Sequence, residues 1–418
     1  MTVSKMAQNL IGSEIIRVAG EVNAMIAKGE PICNLTIGDF NPSIYPIPTA
    51  LQKGISEAYE QGHTNYPPAN GVAALRKAVV QFTKERLGLE YPENDILVAG
   101  GSRPLIYATY MALIDPGDNV VYPTPSWNNN HYCHLSGATP VEVKTRPEHK
   151  FMPTAGDVKP HLKGATMLAL CSPLNPTGTM FSKKDLEEIC DLVLEENRSR
   201  AEGEKPLYIL YDQIYWMLTF GNAEHYDPVS LRPEIREYVI YIDGTSKCFA
   251  ATGVRVGYAF GPAIVMDKMK SILGHVGAWA PKAEQMAMAG FLQQPQEVDG
   301  FMSEFKPKIQ ASLEALYRAF QDLKNDGYPV DAIEPMGAIY LSVKIDLSGR
   351  ITPEGKTLQT SQDVTFYVLH EAKLAVVPFS AFGSGHDLNW FRLSVGGASL
   401  DEINASVGRL KGALERLK

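Results

Sequence analysis

Between about residue 95 and residue 260, short apolar runs recur, each bounded by turn residues and separated from the next by segments of helical period. DILVAG, NVVYPTP, ATMLALC, PLYILYD, YVIYID and VGYAFG are continuously apolar rather than alternating, as strands buried on both faces must be. Their alternation with helices predicts a mostly parallel sheet covered by helices on both sides, an α/β architecture. From about residue 300 the pattern changes to a long helical stretch, the strand-like GAIYLSVKI, AVV and FRLSV, and a final helix. That change predicts a smaller α+β domain. Ser399 and Glu402 have capping-box spacing at the start of the last helix, and Ile403, Val407, Leu410, Leu414 and Leu417 form one apolar stripe, which marks a core-facing side. The segment from Met1 to about Tyr45 precedes the sheet and is expected to pack with the C-terminal part, leaving a cleft between two domains. The expected division is 1–45 and 306–418 for the small domain and 46–305 for the large one.

The length of 418 residues agrees with two cores, being more than one usually supports. Hydrophobic residues at 45% and charged residues at 21% predict a chain that folds throughout. A formal charge of -8 with no basic stripe argues against nucleic acid as a partner. Cys33, Cys133, Cys171, Cys190 and Cys248 are odd in number and lack CxxC spacing, and are expected to be free thiols in a reducing compartment. The N-terminus lacks the apolar core of a signal peptide, and no run of 18 apolar residues occurs later. A cytoplasmic protein with no membrane partner is the expectation.

Ligands of open parallel sheets gather at the carboxyl ends of the strands, and four polar or glycine clusters follow such strands: Gly100 to Arg103, Asn175 to Gly178, Asp212 to Tyr215 and Gly244 to Lys247. In GTSKCFAATGVRVGY the neighbours of Lys247 are small or apolar. Most lysines are solvated surface groups, but an amine in such a setting loses its proton and becomes a nucleophile. Asp212, ending the run PLYILY, reads either as a turn residue or as a carboxylate that keeps a ring nitrogen protonated, with Tyr215 near to bond a ring oxygen. SPLNPTG reads either as an ordinary turn or as a mount for the Asn175 amide between Pro173 and Pro176. Gly100, Gly101, Ser102 and Arg103, with Pro104 in the first turn of the following helix, make a strand–glycine–helix anion site, although similar turns occur without a ligand. Trp127 is either core or a stacking platform. Arg392 falls on the face opposite Phe391, Leu393 and Val395. That face looks either to solvent or into a cleft, where the guanidinium would grip a carboxylate.

Taken together and in order, these segments resemble the class I aminotransferases, the aspartate aminotransferase superfamily of fold type I pyridoxal-phosphate enzymes. The resemblance runs from IGDFNP at Ile37 through YPPANGVAALR (Tyr66 to Arg76), SPLNPTG, YDQIY, SK with Arg255, PMGAIY and VVPFSAFG to FRLSV. It implies a sheet of the seven-stranded type, a small domain built from both termini, pyridoxal 5'-phosphate as cofactor and no metal. Lys247 then resembles the Schiff-base lysine and proton shuttle, Asp212 the partner of the pyridine nitrogen, and Tyr215 and Asn175 the donors to the ring oxygen. Gly101, Ser102, Arg103, Ser246 and Arg255 resemble the phosphate cup, and Trp127 the ring that stacks on the cofactor. Arg392 and the Gly38 backbone amide match the substrate α-carboxylate site, which Trp127 and Asn175 border. Tyr66 resembles the tyrosine that reaches the partner's phosphate, which implies a homodimer. Gly244, Arg103, Pro104 and Ser126 depart from the residues common at their positions.

The activity so implied is transfer of an amino group between an amino acid and a 2-oxo acid, with Lys247 as the base at the substrate Cα. A carbon–sulfur lyase or other Cα-deprotonating enzyme on the same scaffold is the alternative, and a non-catalytic regulator a remote one. No arginine for a distal substrate carboxylate stands out. Trp279 in GHVGAWAPK marks either an apolar substrate subsite or interface packing.

Overall fold

The structure is a computed structural model that describes residues 3–10, 14–385 and 389–418; Met1, Thr2 and Ile11–Ser13, within the predicted N-terminal segment, lie outside the described residues. A short strand, β1 (Cys33–Asn34), precedes the large sheet. That sheet comprises β2 (Ile96–Ala99), β3 (Asn119–Thr124), β4 (Thr139–Lys144), β5 (Ala165–Cys171), β6 (Tyr208–Asp212), β7 (Val239–Gly244) and β8 (Gly257–Phe260). Their spatial order is β2-β8-β7-β6-β5-β3-β4. Strands β3 to β7 run parallel, and β8 lies antiparallel between β2 and β7. Successive residues of β2 enter opposite layers: Ile96 and Val98 join one hydrophobic cluster, Leu97 the other. This two-sided burial is why the strand sequences are continuous in apolar residues, each buried side chain contributing roughly 1.5–3 kcal/mol. Strand β4, TPVEVK, escapes the apolar-run criterion because it is the sheet edge and mostly exposed.

The smaller sheet has the order β12-β13-β10-β9, built from β9 (Val330–Ala332), β10 (Tyr340–Ile345), β12 (Val377–Pro378) and β13 (Trp390–Ser394). The predicted strand AVV divides: β11 (Leu374–Ala375) pairs in parallel with β1, while β12 joins β13. The predicted strand GAIYLSVKI begins only at Tyr340, since Ala338 has φ +60° and its backbone turns there. Cys33, Leu35, Phe40 and Tyr45 share a cluster with Phe391, Leu410 and the middle of helix Pro295–Asn325. That helix spans both units, with Val298 in the large core and Phe305 through Leu323 in the small one. The final helix, Leu400–Glu415, starts with the Ser399–Glu402 capping box. All five cysteines are free thiols, and no described helix is long and apolar enough to cross a membrane.

Candidate active site

At the carboxyl ends of the central strands a cavity of about 740 Å³ opens, walled on its other side by the 36–39 segment, Tyr340 and Arg392. Its volume is that of a site for a cofactor-sized molecule. Lys247 follows β7 by a short turn and extends into this space, its Nζ donating to the Gly38 carbonyl. Burial lowers its pKa to about 8; the Asp39 carboxylate opposes that shift, and the guanidinium groups of Arg392, Arg103 and Arg255 add to it. The amine is therefore close to losing its proton at neutral pH, as the apolar neighbours in the sequence suggested.

Asp212 ends β6 and faces the same cavity. Its carboxylate accepts one hydrogen bond, from the Ile214 amide at 3.1 Å, and has no ion pair among the described residues. Burial raises its pKa to about 6. A protonated heterocyclic nitrogen would supply the missing partner, so this residue fits the ring of pyridoxal phosphate. Tyr215, one turn on, is buried and shares a 2.6 Å hydrogen bond with the Tyr340 hydroxyl.

Arg392 on β13 settles the choice its alternation left open: it is 1% exposed and lines the cavity. Its Nη1 donates to Asn175 Oδ1 at 3.2 Å and its Nη2 to the Thr36 carbonyl. The ring of Tyr340 lies 4.8 Å and that of Phe382 4.9 Å from the guanidinium carbon, while Nε is buried without a partner. A buried cation with no carboxylate beside it among the described residues is expensive unless an anion arrives, and a carboxylate ligand would meet that need. Asn175 uses its oxygen on Arg392, which leaves its amide nitrogen for a second acceptor. Gly38 has no room for a side chain, since a Cβ there would stand 2.5 Å from the Tyr340 hydroxyl.

The expected anion site is assembled where helix Ser102–Leu113 begins, its N-cap Gly101 at φ +100°. A Cβ on Gly101 would collide with the Arg255 guanidinium. Arg255, itself at φ +59°, is tied by 2.7 Å bonds to the carbonyls of Thr252 and Gly100. Ser102, Arg103 and Ser246 line the same space, so backbone N–H groups, hydroxyls and guanidinium converge as a phosphate requires. Trp127 also lines the cavity, with the Arg103 guanidinium 5.2 Å from its ring.

Tyr66 is not brought to this cavity: it is 81% exposed and packs edge-on against Trp279 at 5.3 Å. Trp279 lies off the cavity wall as well. Asp39 and Tyr340 belong to the site although only their motifs, IGDFNP and PMGAIY, stood out in the sequence. A charge beside a glycine turn was the available signal for Asp39. Nothing in PMGAIY ties its tyrosine to Tyr215, more than a hundred residues earlier.

The sequence model of the family described as Aminotransferase class I and II matches residues 30–410. The aspartate aminotransferase of Rhizobium meliloti (strain 1021) is 28% identical over 408 residues, covering 97% of this chain and 94% of that relative. A probable aspartate/prephenate aminotransferase of Rhizobium leguminosarum bv. phaseoli is 29% identical over 406 residues, with 96% of each covered. Among solved structures, that of the Rhizobium meliloti aspartate aminotransferase superposes with a TM-score of 0.91 at 26% identity, over 100% of both chains. The Thermus thermophilus aspartate aminotransferase with maleate gives 0.86 at 25% identity, over 99% of this chain and 100% of that one.

Proposed function

The chain belongs to the class I and II aminotransferases, and from that premise we propose how its cavity carries out the transfer. The protein is an aminotransferase, exchanging an amino group between an amino acid and a 2-oxo acid. Its cofactor is pyridoxal phosphate, which when bound supplies an aldehyde to receive the amino group and a ring that accepts electrons from the substrate Cα. Gly101, Ser102, Arg103, Ser246 and Arg255 would hold the phosphate. Asp212 would keep the ring nitrogen protonated, Tyr215 and Asn175 would donate to the ring oxygen, and Trp127 would offer its ring as a stacking surface.

Arg392, Asn175 and the Gly38 amide bind the α-carboxylate and so aim the Cα proton at Lys247. Its amine removes that proton as general base, a task suited by a pKa near 8. Enclosure by the 36–39 segment, Tyr340 and Arg392 limits water at the Lys247 amine. The observation that carries this reading is a depressed lysine and a carboxylate without an ion pair among the described residues, both facing one cavity, with a buried arginine opposite whose Nε has no partner. Three guanidinium groups, Arg103, Arg255 and Arg392, against Asp39 and Asp212 on the cavity wall favour anionic partners. With relatives that are named aspartate aminotransferases, an acidic amino acid is the first donor to try.

A homodimer in which Tyr66 reaches the partner's phosphate, a cytoplasmic location, and the division at residues 45 and 305 complete the proposal; the exposure of Tyr66 supports the first. The test is direct. Purified protein with pyridoxal phosphate should absorb in the visible range and lose that band on addition of aspartate. Lys247→Ala should abolish both the band and turnover, by at least about a thousandfold. A Lys247→Ala protein that still turned over would remove the basis of the reading.

A further inference from the structure

Behind the floor of the cavity, side chains with no role in the proposed reaction form one buried chain of hydrogen bonds. Gln213 directly follows Asp212, and Asp243 lies four residues before Lys247. Both are 0% exposed. Gln213 Nε2 donates to Asp243 Oδ2 at 3.2 Å, and Asp243 Oδ1 accepts from the Gly244 amide at 2.7 Å. Tyr258 stands directly opposite Asp243 in the β7–β8 register. On the other side His225 Nε2 lies 3.3 Å from Gln213 Oε1, and His225 Nδ1 is buried with no partner.

Counting donors fixes the direction of this chain. Burial raises the Asp243 pKa to about 7 while the hydrogen bonds from the Gly244 amide and Gln213 oppose the rise; as a carboxylate it accepts from both, so Gln213 presents its NH2 to Asp243 and its oxygen to His225. His225 therefore carries its proton on Nε2 and leaves Nδ1 as a bare acceptor, a lesser penalty than an orphaned donor. Burial, which lowers the His225 pKa to about 3, keeps the ring neutral. Each group also sits where a strand hands over to a loop of the site. Gln213 N bonds the Ile242 carbonyl at 2.9 Å beside the Asp212–Ile242 register pair, and Gly244 pairs with Gly257. The ends of β6, β7 and β8, which lead to Asp212, Lys247 and Arg255, are thus joined through one carboxylate.

We propose that Asp243 and Gln213 are positioning residues, whose buried carboxylate–amide bond sets the spacing of the β6 and β7 ends and so holds Lys247 in line with Asp212. This rests on the reading of Lys247 and Asp212 as the working pair. The test exchanges the charge. In Asp243→Asn the new amide must face Gln213 with its NH2, so Gln213 must flip and push His225 to protonate the unpartnered Nδ1. In Gln213→Glu two carboxylates meet in the core. The double variant Gln213→Glu/Asp243→Asn moves the acceptor to the other side and gives every donor a partner again.

Each single variant should lower kcat by about tenfold or more with KM changed less than about threefold, and the double should recover kcat to within about threefold of the parent. Amide hydrogen exchange at residues 212–215 and 243–247, read in the cofactor-free protein, should quicken about tenfold in each single variant and slow again in the double. Singles without effect, or a double as impaired as the two singles multiplied, would overturn the proposal. If a single variant does not fold, the double decides: folded and active supports the pairing, unfolded refutes it. A parent enzyme with no transaminase turnover would instead count against the functional reading, and the exchange measurement would still judge the network.

Discussion

Asp212 shows at the scale of one residue how the proposed function costs stability. Its half-buried carboxylate lines the cavity with one hydrogen bond, and desolvation raises its pKa to about 6 from 3.8. Between those values the folded chain binds more protons than the unfolded one, so this group stabilises the fold as pH falls through about 6 and penalises it above. Asp212→Asn should therefore stabilise the cofactor-free protein at pH 8 by about 1–2 kcal/mol, gain little at pH 4, and lose turnover by at least about a hundredfold. Denaturant melts at the two pH values and steady-state rates measure both effects. An unchanged melt at pH 8 would mean that the carboxylate is already solvated. The residue type and its place at a strand end were legible in the sequence. Its isolation was not, because the lack of a cation beside it is a property of neighbours brought from elsewhere in the chain.

At the scale of elements, the turn from β2 into helix Ser102–Leu113 couples backbone shape to chemistry. Gly101 takes φ +100°, where an L side chain is strained, and the Arg255 guanidinium fills the space of a Cβ. Gly101→Ala should weaken pyridoxal phosphate binding by about tenfold or more and cost about 1–3 kcal/mol of stability. Fluorescence titration of the apoprotein and thermal melts would register these changes. Wild-type cofactor affinity in this variant would show that the turn can shift without disturbing the anion site. Elements buried on two faces were readable from their apolar runs. Strand β4 was not, because an edge strand is half polar, and AVV was not seen as two strands because its division follows from two different pairing partners.

On the scale of the whole molecule, two cores meet around the cavity, and helix Pro295–Asn325 contributes to both. The N-terminal residues Cys33 to Tyr45 pack with the C-terminal cluster, which carries the 36–39 segment over the ends of the large sheet. One expected component is absent from this enclosure: Tyr66 points outward at 81% exposure beside Trp279. If a partner subunit receives it, mixing inactive Lys247→Ala and Tyr66→Ala proteins under conditions of subunit exchange should regenerate about a quarter of wild-type activity, from hybrids with one intact site. Activity that stays at the sum of the two parents would argue that each site uses only its own chain.

The fold class was legible in the sequence because strand burial and turn chemistry are local properties that residue patterns record, and Lys247, Asp212, Asn175, Tyr215, Arg255 and Arg392 stood out as candidates through the resemblance of their motifs to the class I aminotransferases. Whether Arg392 met solvent or a cleft, that Tyr340 and Asp39 enter the site, and that Gln213 and Asp243 bond beneath it were decided only in three dimensions. Those facts depend on desolvation and on partners far apart in the chain, and neither is written in the neighbourhood of any single residue.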